Sequence, residues 1–309
     1  MRLCRAMPAV VGALVDEGAG DGVVGVVRGL TDAARVDASG VAANALREVG
    51  ASAASSGILD EIDTSSASVE DEELADMVAT VNLVVMHSPE VAVQRLETTE
   101  NRKMRRVLLD ALPLAGQALL PLVRARLRAP EWYVARNAVL LLSRCGGTTH
   151  DLAGVARYPN EKVRLEVARA LRSMPPDPIA MDIAVSYLTD SSHDVSQAAR
   201  VLLRGELLGI DAIAAVEVIA ADDAQPEELR RRIVDALGHS SHDAAAAALF
   251  KLIQPRGLLE MGTSSSIRDA AAVALHASAA PTAAARFEEG LHSTTWRVRK
   301  ACERAAGKA

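Results

Sequence analysis

One helical phrase recurs along the chain at intervals of 29 to 38 residues. It reads apolar, basic, two variable positions, small, two variable positions, small, large apolar, with clear copies beginning at Val163, Leu229 and Ile267. The apolar positions of each copy lie on one face of a helix, so each predicts an amphipathic helix that docks on one side. A repeat of this length predicts a solenoid, in which each unit buries its apolar face against its neighbours.

We call the first apolar residue of each copy its anchor. The anchors are Val41, Met104, Val134, Val163, Val195, Leu229, Ile267 and Val298. The first interval covers about two periods, and Leu74, Val78 and Val81 predict a degenerate copy inside it. The only two tryptophans, Trp132 and Trp296, each stand two positions before an anchor. Their matched positions support the phase of the repeat.

A second helical stretch precedes most copies of the phrase and is followed by polar or turn-forming residues. These stretches are 115–127, 179–188, 210–221, 244–253 and 283–291. The turn-forming residues break one helix and cap the next. Each unit is therefore predicted to be a hairpin of an A helix and a B helix, with the phrase on B. We expect an all-α fold, an α-solenoid of about nine hairpins, because no alternating strand pattern competes.

The segment from Trp132 to Leu142 resembles the signature of bacterial HEAT-like repeat proteins. The resemblance covers 89–309 well and 1–88 loosely. We therefore expect divergent N-terminal units over 1–88, with an acidic, Ser-rich insert near 52–76, and a regular array over 89–309. The resemblance implies that B helices line a concave surface. It is weak for function, since members range from scaffolds to lyase-related proteins.

Charge is distributed unevenly along the chain. Residues 1–100 hold 6 basic and 17 acidic side chains, whereas the remainder holds 28 and 23. The acidic excess concentrates between Asp60 and Asp76, in a stretch expected to be flexible or weakly helical. Two interpretations stay open: a solvated acidic face, or a segment that binds a partner or competes for a basic surface in cis.

The basic excess partly follows the repeat. Arginines at outward positions of the B phrase are Arg106, Arg136, Arg169, Arg200 and Arg231. We predict that they form a broken stripe that binds a protein partner through an acidic segment, because arginine presents a planar fork of donors to carboxylates. The alternative is that these arginines only solvate alanine-rich helices and cover apolar surface with their stems.

A different basic residue follows most anchors directly. It is Arg105, Arg164, Arg230, Arg268 or Arg299, but Ala135 and Ser196 replace it in two units. If this residue pairs with an acidic group of the preceding loop, the ladder of pairs is interrupted at those two units.

The sequence favours a non-catalytic scaffold or regulatory adaptor. An alternative is a HEAT-like lyase or chaperone-type enzyme, and a further alternative is a nucleic-acid-binding solenoid. The net charge of −6, the 2% aromatic content and acidic residues such as Asp110 and Asp269 on the same face argue against nucleic acid. We expect no catalytic residues. The oligomeric state stays open.

Motifs for cofactors and metals are weak. Gly20, Gly22 and Gly25 match a dinucleotide-binding pattern, but the βαβ context is missing, and a loop that opens an A helix fits better. His239 and His242 lie in a predicted loop, where polarity and capping of the next helix explain them better than metal binding. HEAT-like iron hydroxylases carry His-Glu dipeptides, and this chain has none. We predict neither cofactor nor metal.

The compartment is predicted from cysteines and apolar runs. Cys4, Cys145 and Cys302 are isolated, as is usual for reduced thiols. No uninterrupted apolar run reaches membrane-spanning length, and the N-terminus has no convincing secretory cleavage pattern. A cytoplasmic protein without a membrane segment is therefore expected.

Overall fold

A computed structural model describes residues 2–37, 39–55, 57–65, 71–255 and 264–307. The secondary structure of these residues is helical, with no strand among them. The α-helices are α1 (Arg2–Asp16), α2 (Gly20–Val36), α3 (Val41–Ser55), α4 (Ile58–Ser65), α5 (Asp71–His87), α6 (Pro89–Thr98), α7 (Arg102–Ala111), α8 (Leu119–Arg126), α9 (Trp132–Arg144), α10 (Thr149–Ala153), α11 (Glu161–Ser173), α12 (Pro178–Tyr187), α13 (His193–Leu202), α14 (Ile210–Ala221), α15 (Glu227–Gly238), α16 (Asp243–Ile253), α17 (Ser265–Ala277), α18 (Ala283–Leu291) and α19 (Trp296–Ala305). Two 3-10 segments, Leu112–Ala118 and Gly205–Leu207, join helices.

Successive helices pair as A and B helices. After α1, the described part of the chain forms nine such hairpins, from α2 with α3 to α18 with α19. The prediction of an all-α, solenoid-like fold of about nine hairpins is therefore confirmed.

The chain divides into two compact units, Met1–Thr148 and Thr149–Ala309. In the first unit, α1, α3, α5 and α7 stack in sequence as one layer, and α2, α4, α6 and α8 form the other. In the second, α12, α14, α16 and α18 stack in sequence, and the B helices pack as α11 on α13 and as α15, α17 and α19 in turn. The boundary predicted at 88/89 divides the chain by repeat regularity, and it stays a prediction.

The anchors are core residues of the hairpins. From Met104 to Val298 every anchor is buried and is the third residue of its helix. Trp132 and Trp296 are accordingly the first residues of α9 and α19. Helix α3 differs, since Ala42, Ala45 and Val49 are buried whereas Val41 is only half-buried. The buried face of α3 is therefore shifted by one residue from the prediction. Alanines carry most of this face, and they mark a buried face less clearly in a sequence than large apolar side chains do.

The expected acidic insert is largely helical where the structure describes it. Helix α4 packs against α2, α3 and α6. Asp63 is buried, and its carboxylate accepts hydrogen bonds from Thr99 Oγ1 at 2.9 Å and from Arg95, which also binds Asp60. Asp63 therefore belongs to the packing between hairpins, whereas Asp60 stays exposed beside Arg95. Residues 66–70 and the side chains of 71–76, which carry the rest of the predicted insert, lie outside the described residues.

The stretch 102–126 is long and apolar enough to cross a membrane by length and composition alone. It consists of α7, the 3-10 segment and α8, with Gly116 at a positive φ of 56°. Leu108, Leu112 and Leu119 are fully buried within the unit. These leucines are therefore core residues of the helical array.

Candidate interaction surface on the B helices

The basic residues that follow the anchors make hydrogen bonds near the end of an A helix or in the loop after it. Each guanidinium donates to a backbone carbonyl of the preceding segment. The bonds are Arg105 to Thr99 (2.8 Å), Arg164 to Tyr158 (2.9 Å) and Pro159 (2.7 Å), Arg230 to Ala220 (2.9 Å), Arg268 to Ile253 (3.2 Å) and Arg299 to Ser293 (2.8 Å). The last carbonyls of a helix have no partner inside it, so these arginines satisfy groups that would otherwise be unpaired.

The predicted pairing with an acidic group of the preceding loop is correct for Arg230, whose Nη2 lies 2.6 Å from Asp223. Arg164 instead pairs with Asp190, in the loop after α12, through two bonds of 2.7 and 2.9 Å. Ser196 has no charge for such a pair, but it keeps a contact with the preceding segment. Its buried Oγ donates to Leu188 O at 2.7 Å, which is the carbonyl just after α12.

The stripe arginines differ in exposure. Arg106, Arg231 and Arg169 are well exposed, with 86%, 59% and 55% of the side chain accessible. Arg136 and Arg200 are half-buried, so their guanidinium groups are less accessible than their outward phase predicted. Arg106 and Arg136 belong to the first compact unit and the other three to the second.

Each exposed arginine of the stripe has a carboxylate one helical turn away. Arg106 Nε lies 4.0 Å from Asp110, Arg169 Nη1 lies 3.5 Å from Glu166, and Arg231 Nε lies 3.4 Å from Glu227. The pairs with Asp110 and Glu227 are exposed on both sides and contribute little to stability, on the order of 0.2–1 kcal/mol, whereas Glu166 is buried. A competing carboxylate from a partner can therefore replace Asp110 or Glu227 at small cost, whereas displacing the buried Glu166 from Arg169 costs more.

Ion pairs that join successive hairpins were not found from the sequence. Arg144 Nη1 on α9 lies 3.2 Å from Asp110 on α7, and Arg304 Nη2 on α19 lies 2.7 Å from Asp269 on α17. The two residues of each pair are 34 and 35 positions apart, which is the anchor interval of these hairpins, 30 and 31 residues, plus about one helical turn. A search for opposite charges at the repeat interval plus four residues would have detected both.

A groove on the first compact unit contains Arg106. Its volume is about 530 Å³, and it runs between α5 and α7 towards the 3-10 segment. Its lining residues are Val78, Asn82, Lys103, Arg106, Val107, Asp110, Ala111 and Leu114. The groove combines two cations at one end with apolar side chains, which suits a ligand that is both anionic and apolar.

The glycine motif lies within a helix. Helix α2 begins at Gly20 and continues through Gly22 and Gly25, so these residues open and continue an A helix and do not form a loop. A Cβ on Gly20 would lie 2.6 Å from Glu61 Oε2. A carboxylate thus lies at the helix N-terminus, where a dinucleotide site would hold its phosphates.

The histidine pair lies between α15 and α16, as predicted. His239 Nδ1 contacts Asp235 O at 2.8 Å, and His242 N donates to Ser240 Oγ at 3.3 Å. His242 is the N-cap residue of α16, but its side chain makes no capping bond, so that part of the prediction is wrong. Within the described ranges no three His, Cys, Asp or Glu residues are grouped to hold a metal ion.

Cys145 and Cys302 are buried thiols. Burial raises the pKa of the Cys302 thiol to about 11 and also raises that of Cys145. At neutral pH both are protonated and lack the nucleophilic thiolate form. They act as small apolar residues of the core.

These layers of hairpins, with caps and ion pairs that recur at the repeat interval, define an all-α helical-repeat protein. No family model and no curated protein matches the chain. Among solved structures, an engineered protein is 18% identical over 99% of this chain and 93% of its own, with a TM-score of 0.42. Human deoxyhypusine hydroxylase in complex with glycerol is 18% identical over 98% of both chains, with a TM-score of 0.32. A second engineered protein is 19% identical over 73% of this chain and 96% of its own, with a TM-score of 0.29. Likeness at these scores carries no argument about function, so the fold assignment depends on the hairpins themselves.

Proposed function

We propose that the chain is a HEAT-like array that acts as a non-catalytic scaffold or regulatory adaptor in the cytoplasm. In this proposal a protein partner with an acidic segment binds along the B helices. The observation that carries it is that exposed arginines lie on outward positions of several B helices: Arg106 and Arg231 two residues after their anchors, and Arg169 six residues after its anchor. Positions two and six are one helical turn apart on the same face, so an acidic segment can meet an arginine on each of these helices.

The charges around these arginines support a modest, distributed affinity. Each exposed contact contributes on the order of 0.2–1 kcal/mol, so several must act together. Arg136 and Arg200 would contribute less, since both are half-buried. The proposal therefore places most of the binding free energy on the three exposed arginines.

Affinity capture from the native cell extract tests this function. The bait is the full chain, and the matched bait carries Arg106→Glu, Arg169→Glu and Arg231→Glu. A nuclease-treated extract is the control for indirect capture through nucleic acid. We expect a protein with an acidic segment that binds the unaltered chain, survives nuclease treatment and is depleted on the triple variant. Capture of nucleic acid instead would favour the nucleic-acid-binding alternative, and equal capture by both baits would refute the arginine surface.

A further inference from the structure

The groove between α5 and α7 has an apolar end as well as a cationic end, and binding through arginines alone does not require an apolar end. We infer that it receives one extended peptide segment of the partner, in which a carboxylate and an apolar side chain are about four residues apart. The inference rests on the proposed scaffold function, because it names the ligand chemistry of one part of that surface. The two ends of the groove supply the reasons.

One end of the groove is cationic. Arg106 is the most exposed of the stripe arginines, and its nearest carboxylate, Asp110, lies 4.0 Å away. Asp110 is shared with Arg144, whose Nη1 lies 3.2 Å from the carboxylate and also donates to Leu109 O at 3.1 Å. Lys103 lies one turn before Arg106 on α7 and lines the same end. Asp110 is thus already held by a cation outside the groove, and a second carboxylate beside Arg106 would be attracted.

The other end of the groove is apolar. Leu114 is 54% exposed in the 3-10 segment, although it follows a helix whose other leucines are mostly covered. Val107 and Val78 line the groove from α7 and α5 and are half-buried. A ligand side chain placed here would remove Leu114, Val107 and Val78 from water. Removing apolar surface from water is the main favourable contribution to the free energy of binding. Asn82 on α5 adds an amide that can pair with a peptide backbone.

The distance between the two ends determines the spacing in the ligand. From Arg106 the chain rises about 1.5 Å per residue to the end of α7 and about 2.0 Å per residue in the 3-10 segment, so Leu114 lies about 13 Å along the axis. An extended peptide rises about 3.3 Å per residue, so four residues cover this distance. Residues four apart in an extended chain also point to the same side. An acidic residue and an apolar residue at this spacing would therefore reach both ends together.

Selection from a randomised peptide library displayed on phage tests the inference with the full chain as target. We expect enriched peptides to carry Asp or Glu about four residues from Leu, Ile, Met or Phe. One enriched peptide is then labelled, and its affinity is measured by fluorescence anisotropy. Arg106→Glu should weaken it roughly three- to ten-fold, consistent with the loss of an exposed ion pair together with new repulsion. Leu114→Ser should weaken it by a similar factor through lost apolar contact.

Two matched variants and a melting curve provide the controls. Arg102→Glu makes the same charge change on α7 outside the groove lining, and Val201→Ser removes an exposed apolar side chain from the other compact unit. Both should leave the affinity unchanged within two-fold. Thermal melting by circular dichroism confirms that each variant is folded, which the exposure of all four residues favours.

The outcomes separate this inference from the scaffold function. No enrichment, or enriched peptides whose affinity does not depend on Arg106 and Leu114, would overturn the groove. If the captured partner still depends on Arg169 and Arg231 in that case, the scaffold function stands without the groove. If no partner depends on any of the arginines, both proposals fail.

Discussion

Ser196 Oγ donates a 2.7 Å hydrogen bond to Leu188 O, the carbonyl just after the last residue of α12. In five other hairpins an arginine at the equivalent position donates to a carbonyl of the preceding segment. A short hydroxyl and a long guanidinium therefore have the same structural role. The residue after the anchor therefore supplies a donor to a carbonyl near the end of the preceding A helix, and the bond at Ser196 forms without a charge.

Replacing Ser196 by alanine removes this donor and leaves a buried carbonyl unpaired. We expect Ser196→Ala to lower the free energy of unfolding by about 1–3 kcal/mol, measured by urea denaturation. Ser186→Ala is the matched control, since Ser186 Oγ bonds Ile183 O within its own helix and the residue is exposed. It should change stability by less than about 0.5 kcal/mol. Equal effects of the two variants would contradict a capping role.

The pair of Arg164 and Asp190 predicts a dependence of stability on pH. The hydrogen bonds from Arg164 lower the pKa of Asp190 below its ordinary value of 3.8. A lowered pKa in the folded state contributes stability that is complete above pH 3.8 and is lost as the pH falls through the folded value. Asp190→Asn should therefore cost about 2–4 kcal/mol at pH 7, because it breaks a two-bond pair with little solvent exposure, and less at the lowest pH where the fold persists.

Urea denaturation at a series of pH values measures this difference. Asp182→Asn, on the exposed side of α12, is the control. Its free energy of unfolding should follow that of the unaltered chain in parallel across the pH series. A cost for Asp190→Asn that does not shrink on acidification would show that the ionised carboxylate is not what stabilises the hairpin.

Gly205 is packed too closely for any side chain. A Cβ there would lie 2.0 Å from Ala236 O and 2.8 Å from His239 Cβ. Because a backbone carbonyl cannot move without disturbing α15, Gly205→Ala should destabilise the protein by more than about 3 kcal/mol or prevent folding. Gly25→Ala, inside α2 with open space around its Cβ, should instead stabilise by about 0.5–1 kcal/mol. Thermal melting of both variants tests this contrast, and similar melting temperatures would contradict it.

The repeat phase was predictable because large anchors such as Met104 and Leu229 recur on one helical face. The phase at α3 was not, because alanines at 42 and 45 carry the buried face and resemble the alanines of any exposed helix. The sequence predicts an insert near Asp63, because charge patterns do not show which carboxylates have a partner in another helix. Asp63 binds Arg95, which lies 32 residues further along.

The groove could not be predicted from the sequence, for a different reason. The A helix expected to begin at 115 begins at Leu119, and a 3-10 segment precedes it. Pro113 and the positive φ of Gly116 are the local causes, since proline lacks a backbone N–H and only glycine takes that φ without strain. Both residues can be read in the sequence, but how they place Leu114 in the groove that also contains Arg106 depends on tertiary packing.

Titration calorimetry of the captured partner tests the central claim most directly. The claim is that exposed arginines of the B helices bind an acidic protein segment. The unaltered chain and the variant with Arg106→Glu, Arg169→Glu and Arg231→Glu are compared at low and at high salt, with circular dichroism to confirm that both are folded. We predict that the variant loses at least about ten-fold in affinity at low salt, and that high salt weakens the unaltered chain and narrows the difference, because salt screens exposed charges over about 10 Å. An unchanged affinity in the folded variant, with the same salt dependence, would contradict the account.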